Sequence, residues 1–323
     1  MLKGKKILVT GGAGFIGSNL CEYFIQHNEV VCLDNLLTGK EENIEYLKKN
    51  KNFKFIQGDI RDLDTCLAAV NGCEIVFHQA ALGSVPRSIE SPLRTNDHNI
   101  NGFLNMLEAA KQSNVKRFVF AASSSTYGDH KALPKEEANI GNPLSPYAVT
   151  KYVNELYAKV YSDLYGIETI GLRYFNVFGR RQDPHGAYAA VIPKFINLIL
   201  SNKQIQINGD GEQTRDFTYI DNVIQANEKA ALTNDKNALN TVYNVAFGAT
   251  ISLNNLVQVM EDLLNELGQA KNVDVSFGDN RLGDVRHSYA SIDKANKYLS
   301  YIPEYDLRRG MKEYLSYYLD QVN

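Results

Sequence analysis

Residues Ile7-Leu-Val-Thr-Gly11-Gly12-Ala-Gly14-Phe15-Ile16-Gly17 carry a short β-branched run through a glycine turn into a helix start. Gly12, Gly14 and Gly17 fit the spacing G-x-G-x-x-G, and Gly11, Gly14 and Gly17 fit G-x-x-G-x-x-G equally well. A strand that delivers such a turn to a helix N-terminus makes an anion site, because free backbone N–H groups and the helix dipole both favour a phosphate there. A side chain at Gly14 is expected to block the approach of a pyrophosphate. Asp34 ends the next apolar run about 20 residues on, where a carboxylate accepts from ribose hydroxyls and repels a 2′-phosphate. The cofactor expected is therefore NAD rather than NADP.

Outward from this unit, the first half alternates β-branched runs with stretches of three- and four-residue apolar spacing. Strands are expected at Lys6–Thr10, Val30–Asp34, Lys54–Gln57, Ile75–His78, Arg117–Ala122 and Glu168–Arg173, and helices at Ser18–His27, Leu63–Val70, Asn99–Gln112 and Pro146–Tyr165. The fold class is α/β: a Rossmann-type doubly wound parallel sheet with a smaller C-terminal α/β substrate-binding domain. Residues 1–176 form the nucleotide domain, with a return near 216–247 through Tyr243–Val245; residues 177–215 and 248–323 form the second domain. That part begins with a helix near Val191–Ser201 and ends with helices at Leu253–Leu267 and Ile292–Leu299.

A chain of 323 residues that is 44% hydrophobic can bury a large core. Its formal charge of −3 is spread over interspersed Lys, Arg, Asp and Glu, so no nucleic-acid footprint is visible. No apolar run reaches the roughly 18 residues of a membrane span, and Met1-Leu-Lys-Gly-Lys-Lys6 runs directly into a strand rather than an apolar signal segment. The expectation is a cytoplasmic protein. Cys21, Cys32, Cys66 and Cys73 form no C-x-x-C pair and read as reduced, buried thiols. The histidines are too scattered for a metal cluster, no metal is expected, and His78 reads as cofactor packing.

Tyr147 and Lys151 are four apart on a helix that begins near Pro146, so they share a face. A phenol is a poor base at neutral pH; a neighbouring ammonium, helped by an oxidised nicotinamide, favours the phenolate. Tyr147 can then take a proton from a substrate alcohol as hydride leaves the same carbon. Ser123, at a strand end, is placed to hold the reacting oxygen, and Ser124 or Ser125 could substitute. Tyr152, Tyr157 and Tyr161 on the same helix read as packing.

Thr10-Gly-Gly-Ala-Gly-Phe-Ile-Gly17, Leu33-Asp-Asn35, Gly58-Asp-Ile60, Ser123-Ser-Ser-Thr-Tyr-Gly128 and Ser145-Pro-Tyr-Ala-Val-Thr-Lys151 together resemble the extended short-chain dehydrogenase/reductases that act on nucleotide sugars. The resemblance covers essentially the whole chain. Within that group, Ala80-Ala-Leu-Gly-Ser-Val-Pro-Arg87, Leu172-Arg-Tyr-Phe-Asn-Val-Phe-Gly-Arg-Arg-Gln182 and Gly186-Ala-Tyr-Ala-Ala-Val-Ile-Pro193 are most similar to the UDP-N-acetylglucosamine 4-epimerases of surface-polysaccharide pathways. The cofactor contacts implied are Gly11, Gly14, Phe15, Ile16, Gly17, Asp34, Asn35, Asp59, Ile60, Gln79, Ala80, Ala81, Asn99, Tyr147 and Lys151. Asn99 is also a family position that supports the catalytic end of the strand. Related dehydratases and decarboxylases carry an acid/base carboxylate just after the strand hydroxyl, where this chain has Ser124 and Ser125. The implied chemistry is closed: a 4-keto sugar turns over and hydride returns to its other face, with NAD tightly held.

For the substrate, the resemblance places Arg215 and Arg281 on the diphosphate, Asp284 on the uridine ribose, and Ala190, Val191 and the Gln206–Asn208 strand around the uracil. Asn176 matches a residue that meets the sugar diphosphate. Gly83 and Ser288 stand where relatives restricted to UDP-glucose carry larger side chains, implying room for an N-acetyl group. Ser84, Arg87, Ser123 and Ser125 are implied contacts nearby. UDP-glucose or UDP-glucuronate is the alternative substrate; a uronate needs a cation near C6, for which Arg87 is the candidate. A homodimer through the helices Asn99–Gln112 and Pro146–Tyr165 is also implied.

Overall fold

Alternating apolar runs and amphipathic stretches fold as a repeated strand-helix series. The computed structural model describes residues 1–184, 190–269, 273–279 and 286–322. In chain order, β1 (Lys6–Thr10), α1 (Phe15–Phe24), β2 (Glu29–Asp34), β3 (Phe53–Gln57), α2 (Leu63–Val70) and β4 (Ile75–His78) lead to α3 (Val85–Glu90), α4 (Pro92–Asn96) and α5 (Gly102–Gln112). There follow β5 (Arg117–Ser123), α6 (Pro146–Tyr165), β6 (Glu168–Tyr174), β7 (Val177–Phe178), α7 (Val191–Leu200) and β8 (Ile205–Asn208). The rest comprises β9 (Thr214–Arg215), β10 (Thr218–Tyr219), α8 (Ile220–Leu232), β11 (Thr241–Val245), β12 (Ile251–Ser252), α9 (Leu253–Glu266), β13 (Val275–Gly278), α10 (Asp293–Leu299) and α11 (Leu307–Val322).

Seven strands form one sheet in the order β11-β6-β5-β4-β1-β2-β3, every pair parallel. The order reverses between β1 and β4, and a crevice opens beyond the carboxyl ends of such strands. β11 pairs with β6 from Thr241↔Ile170 to Val245↔Tyr174, so the chain does return to the main sheet. Smaller two-stranded sheets join β7 to β10, β9 to β12 and β8 to β13.

One face of the sheet packs Cys66, Ala69, Met106, Leu107 and Ala158 from α2, α5 and α6. The other packs Leu20, Phe24, Val223 and Ala226 from α1 and α8, and that core runs on without a break into Ile192, Ile205, Met260 and Leu315. The C-terminal elements therefore share a core with the sheet. All four cysteines are buried and free.

Three local features differ from the sequence reading. Helix α1 begins at Phe15 rather than Ser18, because Gly14 is its extended N-cap and the glycine turn feeds the helix without a spacer. The stretch expected as a helix from Asn99 starts as a π turn, Asp97–Asn101, before α5. Helices α3 and α4 are too short for periodicity to show; each has a proline in its first turn, and Ser84 caps α3 by accepting from the Arg87 N–H at 3.2 Å.

Candidate active site

Above the carboxyl edge of the sheet lie three cavities of about 510, 290 and 710 Å³. All three meet at Asn176, whose φ is +37° and whose Nδ2 donates to the Asp216 carbonyl at 2.9 Å.

The 510 Å³ cavity begins at the glycine turn and ends at Tyr147 and Lys151. Gly11 adopts φ +65°, and a Cβ there would lie 2.8 Å from Ala80 Cα. A Cβ on Gly17 would lie 2.1 Å from the Gly11 carbonyl oxygen, whereas one on Gly14 would meet that atom at 3.2 Å. Within the protein the tight positions are Gly11, Gly12 and Gly17, while a Cβ on Gly14 would meet only the Gly11 oxygen. Helix α1 has no side-chain cap, and its first residues, Phe15, Ile16 and Gly17, line the cavity with Gly14. Asp34 closes this end. It accepts from the Ala13 N–H at 3.0 Å and the Leu36 N–H at 2.8 Å, and burial raises its carboxyl above the ordinary range against those two bonds. Asn35, Ile60, Gln79, Ala80 and Ala81 also line the cavity, and the buried Gln79 Oε1 has no protein partner. A glycine cradle, an uncapped helix start, a carboxylate at the end of β2 and an unpaired buried oxygen fit a dinucleotide.

At the other end, Ser145 caps α6 by accepting from the Ala148 N–H at 3.2 Å, with Pro146 in the first turn, and this orients Tyr147 and Lys151. The Lys151 ammonium donates to the Ala121 carbonyl at 2.7 Å and stands 6.0 Å from the centre of the Tyr147 ring. Burial lowers Lys151 to about 8, while Glu155 opposes the shift. Burial raises the Tyr147 phenol, and a hydrogen bond with Ser123 partly offsets this. The ammonium is thus anchored to β5 while standing beside the Tyr147 ring, and among the protein groups burial is the largest influence on the phenol. Ser123 accepts from the Ser125 N–H at 3.2 Å and its hydroxyl at 2.9 Å, so Ser125 supports Ser123. Ser124 lies between the 510 and 290 Å³ cavities.

Several expected contacts are occupied elsewhere. Asp59 does not line the cavity: Arg61 holds both its oxygens, Asn35 donates to it, and its carboxyl falls well below the ordinary range. Asn99 also stands behind the wall. Its amide accepts from the Leu82 N–H at 2.8 Å and donates to Thr150 Oγ1 at 3.1 Å, so it ties the loop after β4 to α6. His78 is core rather than cofactor packing: it stacks on Phe118, pairs with Thr10 Oγ1 at 3.0 Å, and burial with Lys151 nearby pushes it down to about 3. Arg87 lines none of the three cavities.

The remaining residues cluster as expected. Ala190, Val191, Asn208 and Arg215 line the 710 Å³ cavity together with Gly83 and Ser84, and Ser125, Arg215 and Ser288 line the 290 Å³ one. Arg281 and Asp284 lie outside the described residues, as does the Gly186–Ala189 part of its motif. Sequence reasoning missed Lys135, a buried cation in the wall of the 290 Å³ cavity whose ammonium donates to the His130 carbonyl. It missed also Tyr174 and Gln182, which complete the 510 Å³ wall. No local spacing marks these three residues.

A parallel sheet with a glycine cradle, a strand-end serine and a Tyr-x-x-x-Lys helix defines the short-chain dehydrogenase/reductase class. Residues 7–246 match the NAD dependent epimerase/dehydratase family, and the chain belongs to that family. It is 41% identical, over 96% of its length and 97% of the relative's, to a putative UDP-glucose 4-epimerase of Methanocaldococcus jannaschii. Among solved structures it resembles a UDP-N-acetylglucosamine 4-epimerase from Methanobrevibacter ruminantium in complex with UDP-N-acetylmuramic acid (39% identity, TM-score 0.93, 99% and 100% of the two chains). It also resembles a UDP-glucuronic acid 4-epimerase from Bacillus cereus in complex with UDP-glucuronic acid and NAD (33% identity, TM-score 0.88, 98% and 100%).

Proposed function

We propose that this protein is an NAD-dependent UDP-sugar 4-epimerase that interconverts UDP-N-acetylglucosamine and UDP-N-acetylgalactosamine. NAD, which Gly11, Gly14, Phe15, Ile16, Gly17 and Asp34 would hold, would supply a reversible hydride acceptor and, in its oxidised form, a positive charge. Tyr147 Oη takes the C4 hydroxyl proton and gives it back to the opposite configuration. Ser123, its hydroxyl supported by Ser125, holds the reacting oxygen, with Ser124 beside it. Lys151 keeps a positive charge close to the phenol. Arg215 clamps the diphosphate, and Ala190, Val191 and Asn208 enclose the uracil.

Two observations support epimerisation of an N-acetylated sugar. Among the described residues, Asp34 is the only carboxylate lining the three cavities, and it sits on β2, three strands from β5. An elimination would need an acid or base beside Tyr147, and serines stand there instead. The substrate assignment is carried by Gly83: a Cβ there meets no heavy atom within 4 Å, so the wall where the 510 and 710 Å³ cavities meet is open. A UDP-uronate is the second reading, favoured by Lys135 rather than by Arg87. Comparing kcat/KM for UDP-N-acetylglucosamine, UDP-glucose and UDP-glucuronate tests the assignment; a preference for the first supports it, and a preference for UDP-glucuronate replaces it.

The same reading extends to assembly. Val149, Leu156, Val160 and Leu164 recur along one side of α6 and are exposed, as is Leu93 on α4. A second copy of the chain covers this apolar face, centred on α6 and α4 more than on α5. Sedimentation should give twice the chain mass, and Leu156→Glu with Val160→Glu should give the monomer.

A further inference from the structure

Behind the wall formed by Ser123, Tyr147 and Lys151 is a buried ion pair with no role in the chemistry so far described. Glu155 lies one turn beyond Lys151 on α6, and Arg173 on β6 donates to both its oxygens, at 2.9 and 2.7 Å. The pair is almost fully enclosed, at 7% and 3% side-chain exposure. Arg173 is itself fixed by the Glu137 carbonyl at 3.1 Å and by the Tyr127 ring at 4.9 Å. Thr126 Oγ1 donates to the Ser123 carbonyl at 2.8 Å and reaches Glu155 Oε1 at 3.4 Å. One carboxylate therefore follows the lysine by one turn of the same helix, is held by the arginine of β6 and, through a hydroxyl, adjoins the end of β5.

We propose that Glu155 is a positioning residue of the reaction, locked by Arg173 and tied through Thr126 to the strand end that carries Ser123, so that Lys151 and Ser123 keep a fixed relation. The inference rests on the 4-epimerase reading of the site. A buried ion pair kept only for stability is usually replaceable by apolar residues of similar volume without loss. This pair is different in where its negative end points. The titratable and charged groups around Lys151 are Tyr147 and Glu155 on α6, His78 on β4 and, across Glu155, Arg173 on β6 and Lys294 on α10. Glu155 is the one that favours the ammonium against burial.

The test compares Glu155→Gln, and the double variant Glu155→Leu with Arg173→Met, with the natural protein. The double variant leaves no unpaired charge if the single one fails to fold. The basic limb of kcat should move down by roughly one pH unit as Lys151 loses its anion. At pH 7.5 kcat should fall about threefold from that move alone, with KM for the UDP-sugar held within about twofold. Acylation of Lys151 against pH, read by mass spectrometry, should show the same shift without any need for turnover. An unmoved acylation midpoint in a folded variant overturns the proposal. Absence of epimerisation by the natural protein would overturn the activity reading instead, while the acylation midpoint still decides the role of Glu155.

Discussion

Gly83→Leu is the sharpest probe of substrate choice. The Cβ of residue 83 enters open space, and φ at this position lies outside the left-handed range, so the change brings neither clash nor backbone strain. Stability should stay within about 0.5 kcal/mol, the range of substitutions that touch nothing. The new side chain instead occupies the volume assigned to the acetamido group. Discrimination by filling or freeing such a pocket is worth about 1–3 kcal/mol, or roughly 10–200-fold in relative kcat/KM. Steady-state rates with each UDP-sugar, followed by enzyme-coupled detection, give both values. The expected result is a 10–200-fold loss for UDP-N-acetylglucosamine with UDP-glucose changed by less than about threefold. An equal loss on both sugars would show that Gly83 borders something common to them, such as the diphosphate, and would refute the reasoning; so would no loss on either.

Other consequences follow from single contacts. Gly17→Ala puts a Cβ 2.1 Å from the Gly11 oxygen, a backbone atom with little freedom to move. It should cost about 1–3 kcal/mol in chemical denaturation and weaken NAD binding measured by calorimetry. Lys151, lowered by burial to about 8, should set a basic limb of kcat near that pH. Between about pH 8 and its ordinary value of 10.5, the unfolded chain binds a proton at Lys151 that the folded chain does not. Stability should therefore rise with pH across that window, and Lys151→Met should remove that contribution from the stability-pH curve. Asp216, fully buried, accepts from the N–H groups of Phe247, Gly248 and Ala290, at 3.2 to 3.4 Å. Asp216→Ala strands these donors and should cost about 3 kcal/mol or more in urea unfolding.

What was legible in the sequence was mainly local. Strand, glycine turn and helix lie within Lys6–Phe24, and the order of the main strands and long helices through Tyr165 follows from periodicity, while the short α3 and α4 do not. Helical spacing likewise placed Tyr147 and Lys151 on one face. It could not show where the ammonium goes, since Ala121 lies on a strand 30 residues away. The partners of Asp59, Asn99 and His78 were hidden for the same reason. Arg61 and Asn35 hold Asp59, Leu82 and Thr150 hold Asn99, and Thr10 and Phe118 hold His78, none of them close in sequence except Arg61. Glu155 continues the four-residue spacing of Tyr147 and Lys151. That spacing was available as a signal, but its meaning depends on Arg173, which only the sheet brings near.

Closed-cycle inversion at C4 is read by proton NMR of the sugar anomeric signals. Purified protein would be incubated with UDP-N-acetylglucosamine and no added NAD, alongside Tyr147→Phe. UDP-N-acetylgalactosamine should form with the natural protein and not with the variant. No product even with NAD supplied, or equal product from Tyr147→Phe, would contradict that inversion.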